Sequence, residues 1–127
     1  MPGKILYEYA VVRLVPNVAR EEFINVGIIL FSKGNKYLKI ACKPNEVKLK
    51  LFAAESDVEQ LKANLCSFEK ICKGMEDAGP IAKMDLASRF RWLTATRSAS
   101  IQTSSPHAGL SEDLDKTLER LYSELVL

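Results

Sequence analysis

Chemistry-bearing residues are scarce in this chain, and each scarcity removes a class of function. There is one histidine, and the three cysteines stand apart at Cys42, Cys66 and Cys72. A standard zinc site needs clustered Cys and His ligands, so no metal is expected. The six glycines are scattered. None forms the Gly-rich loop that cradles phosphates, and no Gly-x-Ser-x-Gly elbow occurs, so no cofactor is expected. No apolar run approaches the roughly 18 residues that a membrane span requires, and no membrane partner is expected. The start, Met1 to Lys4, leads into a strand-like segment without a secretory h-region. Together with an odd number of cysteines, this points to a reducing, cytoplasmic setting with free thiols. Cys66 and Cys72 fall among helical core positions and read as small buried hydrophobes. A Cys–His nucleophilic pair would need one of the three thiols beside His107.

An excess of one charge is missing too. The net charge is +2, with acids and bases interleaved, whereas an obligate nucleic-acid binder shows a basic domain or stripe. Folding could still collect Arg89, Arg91 and Arg97 into a local patch. Glu21 and Glu22 could form a carboxylate pair, but adjacent acids after a strand read as a solvated turn.

What is present suits one domain spanning residues 1–127. That length buries roughly two thirds of its unfolded surface. Apolar residues at 47% and charged residues at 27% are globular values, far from a disordered composition.

Ile5 to Val15 alternates and is rich in β-branched and aromatic residues, which predicts a strand ended by Pro16-Asn17. Ala19 to Phe23 could be a short helical turn. Asn25 to Phe31 is a nearly continuous apolar run, as in a strand buried on both faces. Gly27 within it predicts a bulge or a close backbone approach. Lys33-Gly34-Asn35 reads as a hairpin turn, because Gly and Asn tolerate positive φ. Tyr37 to Cys42 alternates again as a third strand. Pro44 to Phe52 fits either state: Val47, Leu49 and Leu51 alternate like a strand, while Asn45 could cap a helix.

Ser56 and Glu59 form a capping box. Val58, Leu61, Leu65, Phe68 and Cys72 then make one helical stripe, and Gly74 is a plausible stop. Asp85 to Trp92 predicts a short helix. Thr94 to Pro106 reads as loop around a short strand near Ser100 to Thr103, since Ser and Thr compete with helix through local bonds. Ser111 is expected to cap a last helix with Leu114, Leu118, Leu121 and Leu125 as its apolar stripe. The fold class is α+β: an antiparallel sheet of three or four strands with helices packed on one face.

The densest polar segment runs from Arg89 to Gly109. It holds the only Trp, the only His, three arginines and seven hydroxyl side chains between Thr94 and Ser105. Arg97 could clamp a carboxylate or phosphate with its planar fork. Ser98, Ser100, Gln102 and Thr103 add neutral donors and acceptors. His107 could donate to an anion or move a proton, and Trp92 offers a stacking face. With Arg89 and Arg91, these residues would suit an anionic small molecule, a nucleotide or a nucleic-acid strand. His107 as general acid or base, with Arg97 beside it, would suit a small enzyme. The structural reading stands beside both. Hydroxyls satisfy the backbone, Trp92 packs in the core, and Arg97 pairs with Glu112 or Asp113.

The same segment resembles a known family. Arg-Phe-Arg-Trp-Leu-Thr-Ala from Arg89, Arg97-Ser98, Ile101-Gln-Thr-Ser, His107-x-Gly109 and Leu118-Glu-Arg-Leu-Tyr are similar to the C-terminal signature of the bacterial domain-of-unknown-function family 3037. Tyr7-x-Tyr-Ala-Val-Val-Arg13, Arg20 to Phe31 and Gly79-Pro-Ile-Ala extend the resemblance over nearly the whole chain. The family name brings no activity with it. The resemblance implies gene neighbourhood with a HipA-like kinase, hence a partner or shared pathway. Three positions depart from the family's pattern. Thr96 replaces a proline, Ala108 replaces a threonine, and a proline near His107 is shifted to Pro106. The function expected is therefore a small cytosolic binding or accessory protein, a regulatory partner of a HipA-like kinase. An anion or nucleic-acid binding domain and a small enzyme are the alternatives.

Overall fold

The computed structural model describes residues 4–15, 23–43, 46–52, 55–95 and 100–126. The elements follow in the order β1 (Ile5–Leu14), β2 (Ile24–Ser32), β3 (Tyr37–Cys42), α1 (Glu46–Phe52), α2 (Glu55–Lys73), α3 (Leu86–Leu93), β4 (Ile101–Thr103), β5 (His107–Ser111) and α4 (Leu114–Leu125). Two 3-10 turns, Glu76–Ala78 and Pro80–Lys83, join α2 to α3.

All pairings are antiparallel, in an α+β fold. The sheet has five strands rather than three or four, with β2 between β3 and β1, and with β4 and β5 both lying along the far side of β1. The extra strand is β5, whose residues look too small and polar for a strand. Its place is set by pairing with β1, from Ile5↔Ser111 to Tyr9↔His107.

The helices are not confined to one face. Ala10, Val12, Leu14, Ile29 and Phe31 pack with Leu49 of α1, the α2 stripe, and Phe90 and Leu93 of α3. Tyr7, Val11, Ile28 and Leu30 pack on the opposite side with Leu114, Leu118 and Leu121 of α4. The apolar run of β2 explains why. A strand with no polar side must be covered twice, and α4 supplies the second cover.

Gly27 fulfils both expectations for it. The β1–β2 register shifts between Val12↔Gly27 and Arg13↔Asn25, leaving Val26 as a bulge. A Cβ on Gly27 would lie 2.8 Å from the Ala41 carbonyl oxygen.

The β2–β3 turn closes over residues 33–36, with the Lys36 N–H donating to the Lys33 carbonyl at 3.3 Å. The positive φ falls on Lys36, at 50°, not on Gly34 or Asn35. A Cβ crowds the carbonyl in that region, at a cost of about 1–2 kcal/mol. Lys36→Gly is therefore expected to raise stability by about 0.5–1 kcal/mol, measurable as a shift of the urea midpoint.

Residues 46–52 form helix rather than strand. Leu49 is fully buried, while Val47 and Leu51 are 70% and 81% exposed. Their alternation thus places Leu49 on one side of a helix and the other two, one turn apart, on the opposite side. The α2 stripe is buried throughout, from Val58 to Cys72. Gly74, at φ 70°, ends that helix: its N–H bonds Ile71 O and the Met75 N–H bonds Lys70 O, a Schellman cap. Cys66 is exposed, unlike Cys72, because it points away from the stripe.

Asp113, not Ser111, caps α4 by accepting the Lys116 N–H at 3.2 Å. Ser111 ends β5, accepts the Asp113 N–H at 3.0 Å and bonds the Thr117 hydroxyl. Asn45, the Ser56 side chain, Glu21, Glu22 and the Ala19 to Glu22 turn lie outside what the structure describes.

Candidate functional site

Helix α3 carries three of the sequence-predicted site residues. Asp85 starts it, accepting the Ser88 N–H at 2.7 Å. This bond to the charged form holds the Asp85 carboxyl below its ordinary range. Phe90 and Leu93 then face the sheet, where Phe90 stacks on Phe31 with ring centroids 4.9 Å apart. Arg89, Arg91 and Trp92 are left to point elsewhere.

Arg89 turns toward the chain reversal before its own helix. Its Nη1 donates to Met84 O at 3.1 Å and Ala82 O at 3.4 Å. A Cβ on Gly74 would sit 2.8 Å from that Nη1, so the guanidinium lies against the end of α2. It ties three segments together. Arg91 presents its fork to Glu8 on β1, with bonds of 2.9 and 3.1 Å. Trp92 is 37% exposed rather than core. It lines a shallow cleft with Asn64, Phe68, Ile71, Ser100 and Ile101, and Asn64 donates to the Ser100 hydroxyl at 3.0 Å.

The other predicted residues lie elsewhere. Gln102 pairs with Arg13, and His107 pairs with Tyr9, its ring 5.4 Å from the tyrosine's. Ile101 and Val12, neighbours of Gln102 and Arg13, belong to the α2–α3 side. Side chains alternate along a strand, so Gln102 lies on the α4 side. His107 does as well, because Tyr9 packs with the α4 cluster. The sheet therefore separates Gln102 and His107 from Arg89, Arg91 and Trp92. Arg97 and Ser98 lie outside the described residues.

Two of the thiols offer little nucleophilicity. Burial pushes Cys42 and Cys72 each up to about 12, so at neutral pH both are protonated. Among the described residues no group of three or more His, Cys, Asp or Glu could hold a metal ion. No helix among them is long and apolar enough to cross a membrane.

A different surface stands out. At the end of the sheet, Lys4, Leu6, Glu8, Phe31, Lys33 and Ala108 line a cleft of about 480 Å³. Leu6 and Leu110 face each other across β1 and β5, and are 66% and 63% exposed. They share a face with Glu8 and Ala108, since their positions are two residues apart. The Glu8–Arg91 pair bounds this patch toward α3, and Lys4 pairs with Glu112 at 3.5 Å beside it. One signal in the sequence could have located it. Leu6 stands between the polar Lys4 and Glu8, on the side of β1 that continues as the buried Ala10, Val12 and Leu14.

A family model described as a protein of unknown function, DUF3037, matches residues 9–126. The chain belongs to the DUF3037 family. No curated protein and no solved structure matches it. In this DUF3037 chain, the family-like His107-x-Gly109 stretch is the strand β5, and Ala108 within it lines the cleft at the sheet end.

Proposed function

We propose that this DUF3037 protein is an accessory module that works by docking on another protein in the cytoplasm. The observation that carries this reading is the uncovered cross-strand pair Leu6 and Leu110 beside the sheet-end cleft. A contiguous exposed apolar patch with a polar rim is the usual mark of an interaction surface. The family resemblance supplies the partner, a HipA-like kinase, which the module would regulate.

The alternative readings receive less support. An anion site built from Arg89 and Arg91 would have to release both from carbonyls and from Glu8. An enzyme using His107 would find the α3 arginines on the other face of the sheet.

Co-expression with the HipA-like kinase and size exclusion tests the reading. Co-elution is expected for the wild type. Leu6→Asp is expected to abolish it with an unchanged melting temperature, because a residue this exposed contributes little to the fold. Independent elution at micromolar concentration, or co-elution that survives Leu6→Asp, would count against it.

A further inference from the structure

Among the described residues the outer edge of the sheet at β5 is open, and it is unusually plain. Edge strands present unpaired N–H and C=O groups, and proteins commonly guard them with charge, proline or bulges. The opposite edge, β3, carries Lys39 and contacts both α2 and α4. The β5 edge has β1 on one side and no strand on the other among the described residues. Its five residues, His-Ala-Gly-Leu-Ser, include no Lys, Arg, Asp, Glu or Pro.

Which backbone groups point outward follows from the β1 ladder. The Val15 N–H donates to Ser100 O, and the Ser104 N–H donates to Val11 O. Odd-numbered residues of β1 therefore turn their backbone groups toward β4 and β5. Tyr9, Tyr7 and Ile5 meet His107, Gly109 and Ser111. Strand alternation then turns the N–H and C=O of Ala108 and Leu110 away from the sheet. Both ends of this template are closed. Pro106 has no N–H to offer, and beyond Ser111 the chain turns into α4 at the Asp113 cap.

We propose that a second copy of this chain pairs with β5, antiparallel and two-fold symmetric about Gly109. The five residues are self-complementary in that register. Ala108 meets Leu110 of the other copy, and Leu110 meets its Ala108, each pair exchanging both N–H···O bonds. A small side chain thus faces a large one. Gly109 faces Gly109 at the axis, in the non-hydrogen-bonded position where Cα atoms come closest, and no side chain stands in the way. His107 meets Ser111, so no like charges are opposed. A closed two-fold dimer also covers the β5 edge of each copy.

The pairing uses backbone groups at the edge, while Leu6 and Leu110 project from the face. The dimer therefore brings two leucine pairs side by side on one continuous sheet. It rests on the edge alone and not on the kinase reading, whose Leu6→Asp variant keeps the edge intact.

Sedimentation equilibrium of the full chain from micromolar to sub-millimolar concentration tests it, together with amide exchange at both extremes. The expected result is a monomer–dimer equilibrium in which the Ala108 and Leu110 amides gain protection as concentration rises. Ala108→Pro removes an N–H that the fold does not use, at an edge position where proline is tolerated. Leu110→Lys adds the missing guard. Each is expected to weaken the dimer by at least about tenfold with the melting temperature of the dilute protein unchanged. A monomer at every concentration would overturn the proposal, including one that pairs only with another protein's strand. So would a dimer that survives both substitutions or leaves those two amides unprotected.

Discussion

Gly109→Ala is expected to destabilise the protein by about 2–3 kcal/mol, the cost of forcing a methyl into a filled space. A Cβ at this position would lie 2.5 Å from the Tyr7 hydroxyl, 2.6 Å from Cζ and 3.0 Å from Cε2. The tyrosine ring lies directly across the glycine on the neighbouring strand. The glycine is needed for space and not for a left-handed backbone, since its φ is not positive. Nor can the ring swing out cheaply. Tyr7 is buried in the cluster formed with Leu114, Leu118 and Leu121, so moving it opens the seam between α4 and the sheet. For a domain of this length the loss corresponds to a fall in melting temperature of about 10 °C. Thermal denaturation followed by circular dichroism measures it. The double substitution Tyr7→Ala with Gly109→Ala is expected to cost clearly less than the sum of the two singles, because the ring that clashes is gone. Additive effects would show that the ring does not occupy this place.

Ser104→Ala is expected to cost about 1–3 kcal/mol, the penalty for a buried N–H left without an acceptor. Between Val12↔Thr103 and Tyr9↔His107, β1 has two residues, Ala10 and Val11, and the facing chain has three, Ser104, Ser105 and Pro106. The mismatch is a bulge. It deprives the Val11 N–H of a backbone acceptor, and the Ser104 hydroxyl takes that place at 2.9 Å. Ser104 and Val11 are both buried, so water cannot readily substitute. Ser104→Thr, which keeps a hydroxyl, should retain most of the stability. Ser105→Ala should be nearly neutral, since Ser105 is exposed. Urea unfolding of the three variants checks the order. Equal loss in Ser104→Ala and Ser105→Ala would rule out the hydroxyl as the substitute acceptor.

These two positions show how the Arg89 to Gly109 segment divides. Its hydroxyls can serve as ligand groups or as backbone partners. Ser104 acts as the second, and Thr94 also bonds back to the Phe90 carbonyl at 2.8 Å. Arg89 and Arg91 serve the fold through carbonyls and Glu8. The residue that opens a surface is Leu6, far away in sequence, where it meets Leu110 on β5.

Local patterns were sufficient wherever neighbours along the chain decide the outcome. The alternation of β1 and β3, the helical stripe of α2, the Gly74 stop and the bulge at Gly27 could each be read from a short window. The class α+β followed from those periods. Contacts between distant segments decided the rest. Strand β5 exists because β1 offers it a ladder, not because His-Ala-Gly-Leu-Ser favours extension. Residues 46–52 became helix, which buries Leu49 and turns Val47 and Leu51 to the opposite side. Helix α4 crossed to the second face because β2 is apolar on both sides. The sequence by itself determined the periods, the caps and the scarcity of metal and phosphate motifs, all properties of residues within a few positions of one another. Only the tertiary structure decided which side of the sheet each group occupies, and so parted His107 from the arginines and brought Leu6 to Leu110. The reason is that a strand's face is fixed by its register with partners remote in the chain, and a shift of one residue exchanges the two sides.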